Sequence, residues 1–175
     1  MKSIGCFLIV FYVLSLPALA DDVTLFGGLQ HAGKISLKDA SASAASQIRN
    51  PINVGVIGLR IGHGKLWGAE HTLAYSSNFL DSQSKAVIYS SNVRIQAPTP
   101  VVKPYVTAGM GGIFSTGKGW SDIGKKFVVN YGGGVKVSFL GPLGVGIDVR
   151  SYTVPSVQGQ TLNLVEVSLG VVFGN

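Results

Sequence analysis

The decisive stretch runs from Lys126 to Arg150: Lys126-Phe127-Val128-Val129-Asn130-Tyr131-Gly132-Gly133-Gly134-Val135-Lys136-Val137-Ser138-Phe139-Leu140, then Gly141-Pro142, then Leu143-Gly144-Val145-Gly146-Ile147-Asp148-Val149-Arg150. Split by parity, Phe127, Val129, Tyr131, Val135, Val137 and Phe139 fall on one side. Asn130, Gly132, Gly134, Lys136 and Ser138 fall on the other. After Gly141-Pro142 the pattern resumes, with Leu143, Val145, Ile147 and Val149 against Gly144, Gly146, Asp148 and Arg150. A period of two is that of a β-strand, whose successive side chains point to opposite faces. Gly-Pro between two such runs predicts a tight turn. The Gly132-Gly133-Gly134 run is followed by more alternating strand and not by a helix, which excludes a phosphate-binding loop.

Working outward, the same alternation places Val165, Val167, Leu169, Val171 and Phe173 opposite Leu164, Glu166, Ser168 and Gly170. It also places Trp67, Ala69, Leu73 and Tyr75 opposite Gly68, Glu70, Thr72, Ala74 and Ser76. Strands are expected near 23–36, 51–62, 66–79, 85–97, 102–115, 126–140, 143–154 and 161–173. Their connections alternate between long, at 37–50, 77–84, 116–125 and 154–160, and short, at 62–65, 97–100 and 141–142. An even strand number with short turns at one end and longer loops at the other is the pattern of a barrel crossing an outer membrane. The expectation is an all-β, eight-stranded antiparallel up-and-down transmembrane β-barrel.

Composition agrees. Charged residues make up only 13% of the chain, about half the usual share for a soluble domain, and there are 24 glycines. At the start, Lys2, an apolar run over 4–16 and Ala18-Leu19-Ala20 have the layout of a cleavable export signal, dividing the chain into a signal at 1–20 and one barrel domain at 21–175. The apolar run is too short for a membrane-spanning helix. Losing Lys2 with the signal takes the formal charge from +6 to +5, which suits anionic lipid headgroups. No basic run points to nucleic acid. The single cysteine, Cys6, lies in the signal, so the processed chain has no thiol for a disulfide, and it lacks the small-residue box of a lipoprotein.

Alternation alone leaves the barrel's inside face undetermined, because a soluble periplasmic lipocalin-like binder would carry the apolar set inside. Two features favour the membrane solution. The polar set is crowded with Gly, Ala and Ser, as a narrow lumen requires. Its charges also balance, Glu70, Asp148 and Glu166 against Arg94, Lys136 and Arg150, as partners in a closed interior network would. Trp67, Phe79, Tyr105, Phe127 and Phe173 are expected in interfacial aromatic girdles near strand ends. Arg60, on the same side as Val54 and Val56, is expected to snorkel to headgroups from the lipid face.

These residues, above all Pro104-Tyr105-Val106-Thr107-Ala108-Gly109-Met110-Gly111-Gly112, 130–136, 146–150 and 165–173, resemble the small outer-membrane β-barrel family that includes OmpA-like transmembrane domains. The resemblance covers the whole processed chain. It implies a place in the bacterial outer membrane among its lipids, and acidic and basic lumen residues in pairs, with Glu70, Arg94, Lys136 and Glu166 at the matching positions. It also implies a C-terminal aromatic signal for the barrel-assembly machinery, here Gly170 and Phe173, although Gly174 and Asn175 follow.

Function in such a scaffold sits in the loops. The expected role is structural or a contact with an extracellular partner, with Trp120 the candidate contact residue. An alternative is a lipid-modifying enzyme: His31 and His71 point outward and Ser91 can approach His71. Glu70 would face the lumen, so it cannot complete a triad with them, and no nucleophile motif is present. No catalytic residue is assigned. A pore is disfavoured by the narrow, charge-filled lumen. Scattered histidines give no metal site, and no cofactor is expected.

Overall fold

The computed structural model describes residues 20–33, 53–79, 84–117, 123–157 and 160–174. Residues 1–19 of the expected signal at 1–20, the expected loop at 37–50 and Trp120 lie outside the described residues. Eight strands follow one another: β1 (Asp22–Ala32), β2 (Asn53–His63), β3 (Trp67–Ser77), β4 (Lys85–Gln96), β5 (Val102–Thr116), β6 (Gly124–Leu140), β7 (Leu143–Val157) and β8 (Gln160–Gly174). Each pairs antiparallel with the next, and β1 also pairs with β8, which closes the sheet into a barrel without free edges. Followed once around, the register runs Val23, Ile61, His71, Ser91, Met110, Val129, Thr153, Asn163. It returns to β1 at Gly33, whose N–H donates to the Asn163 carbonyl (2.7 Å). That offset is the stagger by which strands tilt in a closed barrel.

The outer wall is apolar, with Trp67 65% and Leu169 61% exposed alongside Ile57, Met110, Tyr131 and Ile147. The inside has two layers. Toward the long loops it is an apolar core of Ile88, Ile113, Val128, Tyr152, Val154, Leu162 and Leu164. Toward the short turns it is polar and charged. The lipocalin-like inversion is therefore ruled out.

Three expectations are corrected. Phe79 is buried in the apolar layer and takes no part in a girdle: Asn78, at φ 60°, breaks the strand alternation, and the Phe79 N–H donates to the Ser84 carbonyl at 3.3 Å. Tyr105 is buried because odd positions of β5 face the lumen. The last loop shortens to 158–159, since β7 and β8 stay paired as far as Val157 opposite Gln160, past an irregularity after Val154. Trp67, Phe127 and Phe173 do lie on the outer wall.

Candidate functional site

The charged layer grows directly from the strand parity. Asp22 on β1, Arg60 on β2, Glu70 on β3, Arg94 on β4, Lys136 on β6, Asp148 and Arg150 on β7 and Glu166 on β8 all occupy lumen-facing positions and are almost fully buried. They form a continuous chain of alternating sign. Lys136 Nζ meets Asp22 Oδ1, whose other oxygen lies 2.7 Å from Arg94 Nη1. Arg94 reaches Glu70 at 3.9 Å, and Glu70 Oε1 accepts from Arg150 Nη2 at 2.6 Å. Arg150 Nε donates to Asp148 at 2.7 Å, and Arg60 bridges Asp148 (3.3 Å) and Glu166 (2.7 Å).

Hydrogen bonds extend the chain. Gln30 Nε2 donates to Glu166 at 2.9 Å and Ser76 Oγ to Gln30 at 2.8 Å, while the Tyr105 hydroxyl donates to Asp148 and Arg150 Nη1 to Thr72 at 3.0 Å. The Arg60 guanidinium also stacks 3.7 Å from the Phe26 ring centre, where the charged layer meets the apolar one.

All six expected lumen charges lie in this layer. Arg60 is a correction: it points into the lumen, not toward headgroups. Strand β2 is apolar on both faces, so alternation could not orient it. Val54 and Val56 share Arg60's face because the lumen near the loops is itself apolar. Asp22 lies one residue before the expected start of β1, outside the parity pattern, and Tyr105, an aromatic near a strand end, has the same sequence signature as a girdle residue. With Asp22 and Arg60 added, the layer holds four buried acids and four buried bases.

Room for the layer comes from glycine. A Cβ on Gly132 would lie 2.9 Å from Arg150 Cγ, and one on Gly134 2.9 Å from the Tyr105 hydroxyl. The glycine-rich face of 130–136 is thus where large charged chains from neighbouring strands cross.

On the outer wall, His71 pairs in register with Ser91. Its Nδ1 lies 3.1 Å from the Tyr89 hydroxyl and its ring stacks on Tyr89, while Glu70 is on the opposite face, 0% exposed. His31 Nδ1 lies 2.9 Å from Asn53 Oδ1. Among the described residues, neither histidine is joined to a serine and a carboxylate. Among the described residues no group of three or more His, Cys, Asp or Glu could hold a metal ion.

A closed antiparallel barrel with an apolar wall and a charge-paired lumen defines an integral barrel of the bacterial outer membrane. The sequence matches the outer membrane protein β-barrel domain over residues 6–173, and the chain belongs to that family. Among solved structures, Neisserial surface protein A is similar at 13% identity over 88% of this chain and 96% of that one, with a TM-score of 0.66. The N-terminal β-barrel domain of Pseudomonas aeruginosa OprF is 16% identical over 88% and 98%, with a TM-score of 0.54. The outer membrane enzyme PagL is 13% identical over 88% and 99%, with a TM-score of 0.52. These likenesses are of fold. No curated protein matches the sequence.

Proposed function

We propose that the protein is a non-conducting outer-membrane barrel with a structural or surface-interaction role exercised through its long loops, and that it carries no enzymatic activity. The observation that carries this reading is the double filling of the lumen, an alternating charge chain at the turn end beneath an apolar core at the loop end. With the lumen occupied and no nucleophile, acid and base assembled among the described residues, the segments at 37–50, 80–83 and 118–122 are the parts left to meet an extracellular partner, Trp120 among them. On this reading residues 1–20 direct export, and Gly170 and Phe173 present the final strand to the barrel-assembly machinery.

Cysteine labelling tests it. Removal of the signal takes away Cys6, so Ser43→Cys, Trp120→Cys and Gly141→Cys each introduce a single thiol into the processed chain. On intact cells, a membrane-impermeant maleimide should label the first two and reach Gly141→Cys only after the outer membrane is permeabilised. Labelling at the turn instead of the loops would overturn the loop reading.

A further inference from the structure

Two outward-facing glycines interrupt the bulky outer wall on the loop-side half of β1 and β2. Gly27 stands in register between Leu169 of β8 and Ile57 of β2, which are 61% and 63% exposed. Gly55 stands in register beside Leu29 of β1. Among the described residues nothing requires glycine at either place: a Cβ on Gly27 would meet only the Val56 carbonyl oxygen, at 3.9 Å, and one on Gly55 would meet nothing within 4 Å. Gly28 and Gly58 differ, since a Cβ there would collide with the backbone at Val167 or Leu73. Glycine weakens a strand interior, and one that neither a turn nor packing demands marks a place where another molecule comes close.

The space so left is an apolar groove. Its lower part, about 450 Å³, lies between Leu25, Ile57, Leu59, Leu73, Tyr75 and Val87. Its upper part, about 350 Å³, is lined by Gly27, Gly55, Ile57, Tyr75 and Ser77, so the two parts join at Ile57 and Tyr75. From Leu59 to Gly55 it follows β2 for about 13 Å at the rise of a strand, on the order of half the ~25 Å apolar band of an outer-membrane barrel. The groove is one leaflet deep. Its loop-side mouth is polar. Ser77 ends it and pairs in register with Lys85, both exposed. On the same face, two residues beyond Gly55, Asn53 Oδ1 lies 2.9 Å from His31 Nδ1. The described strands place Lys85 and Lys125 on the outer face, both at the loop end, and no Asp or Glu there.

We infer that the groove across β1, β2 and β3 holds one acyl chain of an anionic, phosphate-bearing lipid of the loop-side leaflet, whose phosphate is met by Lys85 and Ser77. The chain fills the volume that Gly27 and Gly55 leave open. At the mouth, the Lys85 ammonium and the Ser77 hydroxyl donate to phosphate oxygens, with the charge-assisted contact the stronger of the two. A second barrel or a spanning helix would call for a seam the full height of the apolar band, whereas this groove stops halfway. Only the side of the membrane to which that leaflet belongs rests on the orientation proposed above.

The test is native mass spectrometry of the full processed chain, folded in neutral detergent micelles and verified by its heat-modifiable gel band. Dimyristoyl phosphatidylglycerol is titrated in, and separately phosphatidylcholine with the same chains. One saturable adduct per chain is expected, tighter with phosphatidylglycerol. Lys85→Gln should weaken phosphatidylglycerol binding about five-fold, the scale of one lysine beside an anionic membrane surface, and bring it to the level of phosphatidylcholine. Gly27→Val with Gly55→Val fills the groove and should abolish the adduct with both lipids. Should that double variant not give the folded band, Gly55→Val alone, whose Cβ meets no neighbour, should still weaken binding severalfold. Adducts that accumulate without saturating, equal affinity for the two lipids, or binding unmoved by the filled groove would overturn the site. A dimer peak that the glycine substitutions remove in place of a lipid adduct would assign the groove to a second copy of the chain and overturn it as well.

Discussion

Arg150 binds two carboxylates at once, Glu70 at 2.6 Å and Asp148 at 2.7 Å, and is 0% exposed. Burying an ion pair gives little net stability, because desolvation offsets the attraction, but removing one partner strands the other charge in a medium that cannot solvate it. Arg150→Met should therefore destabilise the barrel by about 3–5 kcal/mol. Glu70→Gln combined with Arg150→Met should cost clearly less than the two single changes summed, since both members of the pair are then neutral. Urea unfolding in lipid vesicles, followed by the shift between folded and unfolded gel bands, measures this, and strict additivity would show that the two residues are not coupled. Glycines divide in the same way. A Cβ on Gly111 would lie 1.9 Å from the Tyr89 carbonyl oxygen, backbone that cannot give way, whereas one on Gly55 meets nothing within 4 Å. Gly111→Val should fail to give the folded band and Gly55→Val should fold as the unaltered chain does. At this scale the sequence was legible where parity set a charge among small residues, as for Glu70, Asp148, Arg150 and Glu166. It was not legible for Arg60 and Tyr105, whose surroundings depend on which strands lie across the lumen.

Among the elements, β6, β7 and β8 were legible over their turn-side parts, where a bulky apolar face opposes one of Gly, Ser and charge; toward the loops the lumen face turns apolar at Val128, Tyr152, Val154, Leu162 and Leu164. Strand β2 could not, because Val54 and Val56 pack into an apolar lumen layer while Ile57, Leu59 and Ile61 face outward, and a strand apolar on both sides carries no parity signal. The loop-end layer itself escaped the reading for the same reason: a uniformly polar lumen has no place for Ile88, Ile113, Leu162 and Leu164. Strand β8 has a further role in closure. Phe173 sits opposite Leu143 on β7 and Val23 on β1, at the seam where the last strand joins the first. Its ring is 46% exposed on the outer wall, so trimming it removes little packing. If Phe173 serves assembly more than stability, Phe173→Ala should lower the amount of protein in the outer membrane severalfold while purified chain refolds in detergent as before. Equal losses in cells and in vitro would assign the residue to folding alone.

For the whole molecule, the proposed non-conducting role makes the two lumen layers seals in series. An eight-stranded barrel is only wide enough for its own side chains to fill, and here they fill it twice, by charge near the turns and by apolar packing near the loops. Opening one layer should leave the other closed. The unaltered protein in planar bilayers should show no steady conductance, and neither should Arg94→Ala, which opens the charged layer beside Asp22, because Ile113 and Leu162, both 0% exposed, still occlude the loop end. Ile113→Ala with Leu162→Ala should likewise stay closed, since the ion-paired chain from Lys136 to Glu166 is intact. Only the combination of all three substitutions should conduct, with the heat-modifiable band confirming in each case that the barrel has folded. Steady current from either partial variant would mean that the two layers form one seal, and current from the unaltered chain would remove the physical basis for assigning its function to the loops.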